Sequence, residues 1–195
     1  MERNYQAVVI GASAGGMEAC KEIFRNLTDG FRLPVILVQH IHPRSDAYFV
    51  QYLDKLSRLR VKEAEEKEPV EKGIIYVAPP DYHLMIEDDR TFSLSVDQKV
   101  NYSRPSIDIL FESAAEVYGD QLIGIILTGA NHDGTNGMKK IKSNGGLLIA
   151  QDPESAEVAI MPLSVIKQVP VDHILPVNEI APFLEKLLME EPNND

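Results

Sequence analysis

The sequence has little from which to build disulfide, metal or membrane structure. Its single cysteine, Cys20, excludes an internal disulfide and fits a reducing compartment. The five histidines are scattered without ligand spacing, so we expect no metal and no cofactor. No apolar run approaches the 18 residues of a membrane span, and polar residues 1–5 lead directly into the first apolar run, so we expect no signal peptide. These absences predict a cytoplasmic protein without membrane insertion.

Positive charge is also scarce. Lysine and arginine number 19 against 30 aspartates and glutamates, which gives a net charge of −11. Such a balance argues against binding to nucleic acid or to an anionic membrane surface, whereas a neutral or locally cationic partner fits it better. The length of 195 residues suits one domain. We predict a core over about residues 5–188 and a frayed tail at 190–195.

Short apolar runs alternate with amphipathic segments along the chain, and two strand–helix units in succession predict a parallel sheet. The main predicted strands are residues 7–10, 33–38, 74–78, 122–127 and 147–150. Residues 82–86 and 92–96 predict a hairpin around Asp88-Asp89. The charge-rich residues 61–72 are interpreted as a solvated edge region. Two helix starts are expected, at Ser45 or Asp46 and at Ser103 with Pro105 in the first turn.

Residues 6–16, QAVVIGASAGG, predict a buried strand that turns sharply into a helix. Ser13 stands at the corner among small residues, beside N–H groups that favour negative charge. The segment matches the G-x-S-x-G nucleophile elbow. It equally suits a nucleotide-binding turn or a simple helix cap. From this segment alone the three interpretations have equal weight.

Two further polar loops follow predicted strands, and each carries a side chain that suits a catalytic serine. His40 follows the second strand and Asp133 follows the strand at 122–127. A histidine takes the proton of a serine hydroxyl, and a carboxylate on its other nitrogen orients it. In open parallel sheets, active sites form in the loops that follow the carboxyl ends of the strands. The order Ser13, His40, Asp133 is not that of α/β-hydrolases.

Six segments in this order resemble the catalytic domain of CheB, the protein-glutamate methylesterase of bacterial chemotaxis. They are IGASAGGMEA, VQHIHP, YVAPPDYHL, RPSIDILFESAA, GIILTGANHDGTNGMKKIK and IAQDPESAEVAIMP. The resemblance covers roughly residues 5–188. It implies an α/β fold, doubly wound, with a mainly parallel sheet, helices on both faces and a small antiparallel hairpin insertion.

The resemblance also implies an activity: hydrolysis of glutamate γ-methyl esters on methylated chemoreceptor signalling helices, usually with deamidation of glutamines at the same sites. It makes Ser13 the nucleophile, His40 the general base and Asp133 the carboxylate that orients the base. The neighbouring His42 is expected to be a surface residue of its loop, and His132 a wall or surface residue.

Other residues are weaker candidates for contact with the substrate. Main-chain N–H groups at Ala14 and Ala130 are candidate donors to an oxyanion. Arg104 either holds a receptor carboxylate or lies near a helix start. His83 on the hairpin and Met161 are expected to border the site or to serve packing.

Two departures from the family pattern stand out. Family members usually carry an N-terminal receiver domain, whereas this chain begins within five residues of the first strand, so control by such a domain is not expected. The segment before the aspartate commonly reads Gly-Met-Gly, and here it is Gly129-Ala130-Asn131.

Two other functions compete with catalysis of this kind. A nucleotide-dependent oxidoreductase is disfavoured because GASAGG lacks G-x-G-x-x-G. A non-catalytic docking paralogue that binds receptors or kinases would keep the fold, and the intact triad ranks it below the esterase.

Overall fold

The chain forms one parallel sheet between two layers of helices, together with a short hairpin. A computed structural model describes residues 4–40 and 48–189. The strands are β1 (Ala7–Ala12), β2 (Val35–Gln39), β3 (Arg60–Glu63), β4 (Ile74–Val77), β5 (His83–Ile86), β6 (Phe92–Ser95), β7 (Leu122–Ile126), β8 (Leu147–Gln151) and β9 (His173–Leu175). The helices are α1 (Gly16–Phe24), α2 (Tyr48–Leu56), α3 (Ile107–Tyr118), α4 (Thr135–Ser143), α5 (Ile160–Gln168) and α6 (Val177–Met189).

Seven strands form the sheet in the order β3-β4-β2-β1-β7-β8-β9, and every neighbouring pair is parallel. All residues of β1, β2, β7 and β8 are buried, as continuous apolar runs require when helices cover both faces. β5 and β6 pair antiparallel in a separate two-stranded sheet. The predicted fold class and the hairpin are confirmed.

Side chains of β1 alternate between two apolar cores. Val8 and Ile10 belong to a cluster that includes residues of α1, α2 and α6. Ala7 and Val9 belong to a second cluster that includes residues of α3, α4 and α5. Cys20 packs in the first cluster as predicted, and burial raises the pKa of its thiol to about 12. The sheet therefore separates two cores of comparable construction.

Two local predictions were wrong. Residues 60–63, at the start of the charge-rich region, form the edge strand β3, which pairs with β4. The apolar alternation that indicates a strand is missing here, because most side chains of this edge strand are exposed and charged and only that of Val61 is buried. Helix α3 begins at Ile107, with Ser106 rather than Ser103 at the N-cap position. The predicted caps of α2, Ser45 and Asp46, lie outside the described residues, as does His42.

The order of the strands places one crevice at the carboxyl edge of the sheet. β1 is central and lies between β2 and β7, so the chain leaves it in one direction for β2 and returns on the other side at β7. Loops that follow these three strands diverge there, as at the ligand-binding switch points of open α/β sheets. In the described part of the chain, no helix is both long and apolar enough to cross a membrane.

The packing of α3 against α4 depends on Gly137. A Cβ at this position would overlap the side chain of Phe111. We expect Gly137→Ala to lower the free energy of unfolding by about 1–3 kcal/mol, because the overlap outweighs the better helix propensity of alanine. Urea unfolding measures the change. Gly30→Ala is the control, since among the described residues a Cβ there meets only Thr28 Oγ1, at 3.4 Å. Equal loss in both variants would contradict the prediction.

Candidate active site

The loops after β1, β2 and β7 are joined by backbone hydrogen bonds that extend beyond the strands. Ser13 N–H donates to the carbonyl of Thr128 at 3.0 Å, and His40 N–H donates to the carbonyl of Ala12 at 3.0 Å. The hydroxyl of Thr128 donates to the carbonyl of Ala14 at 2.8 Å. These bonds bring the residues that follow three neighbouring strands to one place, so Ser13 and His40 lie on adjacent segments.

The corner at Ser13 is tightly built. Gly15 adopts φ 78° as the N-cap of α1, and Gly16 N–H donates to the carbonyl of Ser13 at 2.8 Å. A Cβ at Gly16 would overlap the amide of Gln39. That amide donates to the carbonyls of Ser13 at 2.8 Å and of His40 at 3.1 Å. Gln39 thus ties the serine corner to the histidine loop, a role that the sequence reasoning missed.

His40 and Asp133 are in direct contact. Nε2 of His40 lies 2.9 Å from Oδ2 of Asp133, and the histidine side chain is 12% exposed while the aspartate side chain is fully buried. The Ser13 hydroxyl, in contrast, has no hydrogen-bond partner among residues 4–40 and 48–189. Catalytic hydrogen bonds of this kind are often loose before the substrate binds.

The carboxylate of Asp133 lies at the start of α3. It accepts the N–H groups of Ile107 at 2.7 Å and Asp108 at 3.1 Å, and the hydroxyl of Ser106 at 2.9 Å. Asn101 Nδ2 adds a bond at 3.2 Å. Free N–H groups at a helix start carry partial positive charge and stabilise an anion. Asp133 therefore serves as the cap that sequence reasoning had assigned to Ser103.

Two neighbouring carboxyl groups have opposite pKa shifts. Burial by itself raises the pKa of Asp133, but hydrogen bonds from His40 and from the N–H groups of Ile107 and Asp108 outweigh it and hold that pKa below its ordinary value. Burial raises the pKa of Asp108, and the charge of Asp133 raises it further. The hydrogen bond from Gly137 N–H lowers this pKa but does not cancel the increase. The surroundings therefore favour the ionised form of Asp133 more strongly than that of Asp108.

Asn131 also contacts His40, and sequence reasoning did not identify this contact. Its Nδ2 lies 3.2 Å from Nδ1 of His40, and its Oδ1 accepts the N–H of Asp133 at 3.1 Å. Since an amide nitrogen only donates, Nδ1 is the acceptor and Nε2 carries the proton shared with Asp133. The only signal in the sequence was the departure from Gly-Met-Gly at this loop.

Some of the candidate residues for contact with the substrate lie on the serine and aspartate loops, and others are engaged inside the protein. Ala14 and Ala130 are exposed at the serine and aspartate loops, and neither N–H has an acceptor among the residues that the structure describes. Met161 is buried and lies against Gly129, whose carbonyl accepts its N–H at 3.0 Å. Within residues 4–40 and 48–189, the one hydrogen bond of the exposed His132 is to its carbonyl, from Thr135 N–H.

His83 and Arg104 are engaged inside the protein. His83 is fully buried, with Nε2 3.0 Å from the carbonyl of Gln98 and Nδ1 accepting the N–H of Ser106. Arg104 pairs with Asp81 at 2.9 Å and donates to the carbonyls of residues 96 and 97. Both side chains hold the segment that leads into α3, so a part in substrate contact remains a prediction.

A cleft of about 330 Å³ borders the serine corner. Gly15 and Thr128 line it, together with three glutamates, Glu18, Glu22 and Glu157. Its surface is anionic, in line with the net charge. In the described ranges, no group of three or more His, Cys, Asp or Glu side chains is placed to hold a metal ion.

The pKa shift of Asp133 predicts a dependence of stability on pH. Because its folded pKa lies below the unfolded value of about 3.9, the carboxylate stabilises the fold above that value and loses this effect as pH falls through the folded pKa. We expect Asp133→Asn to lower the free energy of unfolding by about 1.5–3 kcal/mol at pH 7, and by less at pH 3. Urea unfolding at both values tests this. The exposed Asp88→Asn serves as control; a loss that is constant with pH would contradict the prediction.

Comparison with known proteins agrees with this geometry. The family model described as CheB methylesterase matches residues 8–184. A Leptospira interrogans protein named putative protein-glutamate methylesterase/protein-glutamine glutaminase is 55% identical over 94% of this chain and 95% of its own length. A Thermotoga maritima protein of the same name, without "putative", is 40% identical, and the match covers 93% of this chain but 54% of that protein.

The fold is shared with a solved structure. The crystal structure of the Thermotoga maritima CheB methylesterase catalytic domain has a TM-score of 0.90 and 40% identity to this chain, over 94% of this chain and 98% of that one. The chain spans nearly all of the Leptospira relative and about half of the longer relatives that it matches. By the match of its sequence and of its fold, this chain belongs to the CheB methylesterase family.

Proposed function

We propose that this protein is a cytoplasmic serine esterase that hydrolyses glutamate γ-methyl esters, and deamidates glutamine, on chemoreceptor signalling helices or a similar methylated protein. The observation that carries the proposal is the 2.9 Å hydrogen bond between His40 and the buried Asp133, on loops bonded to the corner of Ser13, whose hydroxyl has no partner among the described residues. The names of the relatives support the substrate class.

In the first step His40 acts as the base for Ser13. Nδ1 carries the free electron pair and takes the proton of the Ser13 hydroxyl as Oγ attacks the ester carbonyl. The resulting imidazolium is stabilised by Asp133, which stays ionised. The negative charge that develops on the carbonyl oxygen needs N–H donors, and Ala14 and Ala130 have N–H groups without acceptors in the described structure.

In the second half of the reaction the ester bond breaks. Nδ1–H returns its proton to the departing methoxide, methanol leaves, and the glutamyl group remains bonded to Ser13. His40 then takes a proton from water as the water oxygen attacks this acyl-enzyme. The bond to Ser13 Oγ breaks, His40 returns the proton to that oxygen, and the released glutamic acid ionises to the carboxylate. Glutamine follows the same route with ammonia as the leaving group. No cofactor takes part in these steps.

The acidic cleft fits a neutral substrate. A methyl ester carries no charge, whereas the glutamate product is an anion and is repelled by Glu157 and its neighbours. This difference favours release of the product over its retention. It also agrees with a partner that is neutral or basic around the modified side chain.

Replacing the nucleophile tests the proposal. We expect Ser13→Ala to lower kcat for methanol release from a methylated receptor by about 10³-fold or more, because the alanine forms no acyl-enzyme. Ser143→Ala, at the end of α4 and remote from the site, is the matched control and should keep wild-type activity. Full activity of the Ser13 variant would overturn the assignment.

Reaction with a serine-directed phosphonate separates the esterase from a docking paralogue. We expect stoichiometric labelling of Ser13 in the wild type, and none in Ser13→Ala, by mass spectrometry of the intact protein. A docking module has no need of an activated hydroxyl, so a wild-type protein that resists labelling would favour the docking function. Titration with NAD(P) tests the oxidoreductase alternative, and we expect no binding.

A further inference from the structure

Asn131 makes two hydrogen bonds with opposite ends of its amide. Oδ1 accepts the main-chain N–H of Asp133 at 3.1 Å, and Nδ2 lies 3.2 Å from Nδ1 of His40. The first bond determines the second, since a backbone N–H always donates and so requires the oxygen of the amide. The NH₂ group is thereby directed at the histidine ring.

The contact defines which nitrogen of His40 is protonated. Nδ1 faces a donor and Nε2 faces the ionised carboxylate of Asp133. Only the tautomer with its proton on Nε2 satisfies both bonds. Held by Asp133 alone, the ring would be restrained at one nitrogen and free to turn about that bond. Asn131 restrains it at the second.

We propose that Asn131 is a positioning residue that holds His40 with Nδ1 unprotonated and in place for Ser13. This inference rests on the proposed esterase function and deepens it. Asn131 lies two residues after Gly129, where an added Cβ would lie 2.9 Å from the Cβ of Ser13, so its loop packs close to the corner of Ser13. Its bond to Nδ1 is neutral and, at 3.2 Å, longer than the 2.9 Å bond to Asp133. The Ser13 hydroxyl replaces it when the ester binds.

Two variants separate the contact with histidine from the structure of the loop. Asn131→Asp keeps an oxygen for the N–H of Asp133 but turns the group facing Nδ1 from a donor into an acceptor. The ring then lies between two carboxylates and holds protons on both nitrogens. Asn131→Ala removes both bonds. His132→Ala, an exposed neighbour on the same loop, is the control.

We expect Asn131→Asp to lower kcat for methanol release about 100-fold at neutral pH, the scale of lost general-base catalysis, with KM within about twofold. Asn131→Ala should lose about tenfold in kcat with KM unchanged, and His132→Ala should behave as wild type. A merely structural role of the loop would instead spare the aspartate variant, which retains the bond to Asp133. Wild-type kcat in Asn131→Asp would overturn the proposal, as would an increase of kcat in Asn131→Ala.

The ¹⁵N NMR spectrum of the His40 imidazole reports the tautomer without reference to activity. We expect one protonated nitrogen, Nε2, in the wild type, two in Asn131→Asp, and a mixture of tautomers in Asn131→Ala. An unchanged wild-type pattern in both variants would overturn the positioning role. If the wild-type protein released no methanol while the spectra behaved as expected, the esterase function would fail and the positioning of His40 would stand.

Discussion

The structure depends on the burial of one ionised carboxylate. Asp133 is fully buried, and a buried charge is costly unless hydrogen bonds replace its hydration. Its partners are the first N–H groups of α3, the hydroxyl of Ser106, and His40. All of these groups lie 25 or more residues from it in the chain. Satisfying the carboxylate therefore requires that β7, β2 and α3 come together, so the stability of the fold and the geometry of the site have the same origin.

Close packing around the serine corner adds a second constraint. The sheet turns into α1 with no room for side chains at Gly16 or Gly129, and the amide of Gln39 crosses from the serine loop to the histidine loop. Such a corner leaves Ser13 half-buried and ties its backbone to the neighbouring loops. A fixed backbone of this kind suits the role of nucleophile proposed for Ser13.

The ring of His40 is used in an orientation opposite to that of serine proteases of the chymotrypsin type. There the aspartate binds Nδ1 and the base is Nε2; here Asp133 binds Nε2 and Nδ1 faces Asn131. The chemistry requires only that one nitrogen be held by a carboxylate and the other be free to take a proton. Relatives at 55% and 40% identity match nearly the whole chain in sequence, and the fold is shared with the Thermotoga maritima catalytic domain.

The sequence by itself determined the parallel sheet, the hairpin and the three polar loops at its edge, because apolar runs and turn residues act over a few positions. It also placed Ser13, His40 and Asp133 at the ends of three strands, which the order of the sheet makes neighbours. Edge strand β3 was not predicted, because its exposed side chains give almost no apolar pattern in the sequence. Only the tertiary structure decided the cap of α3, the engagement of His83 and Arg104, and the contact of Asn131 with His40. These bonds join residues 15 to 91 positions apart, or depend on which end of an amide faces a ring, and no local pattern of residues carries such information.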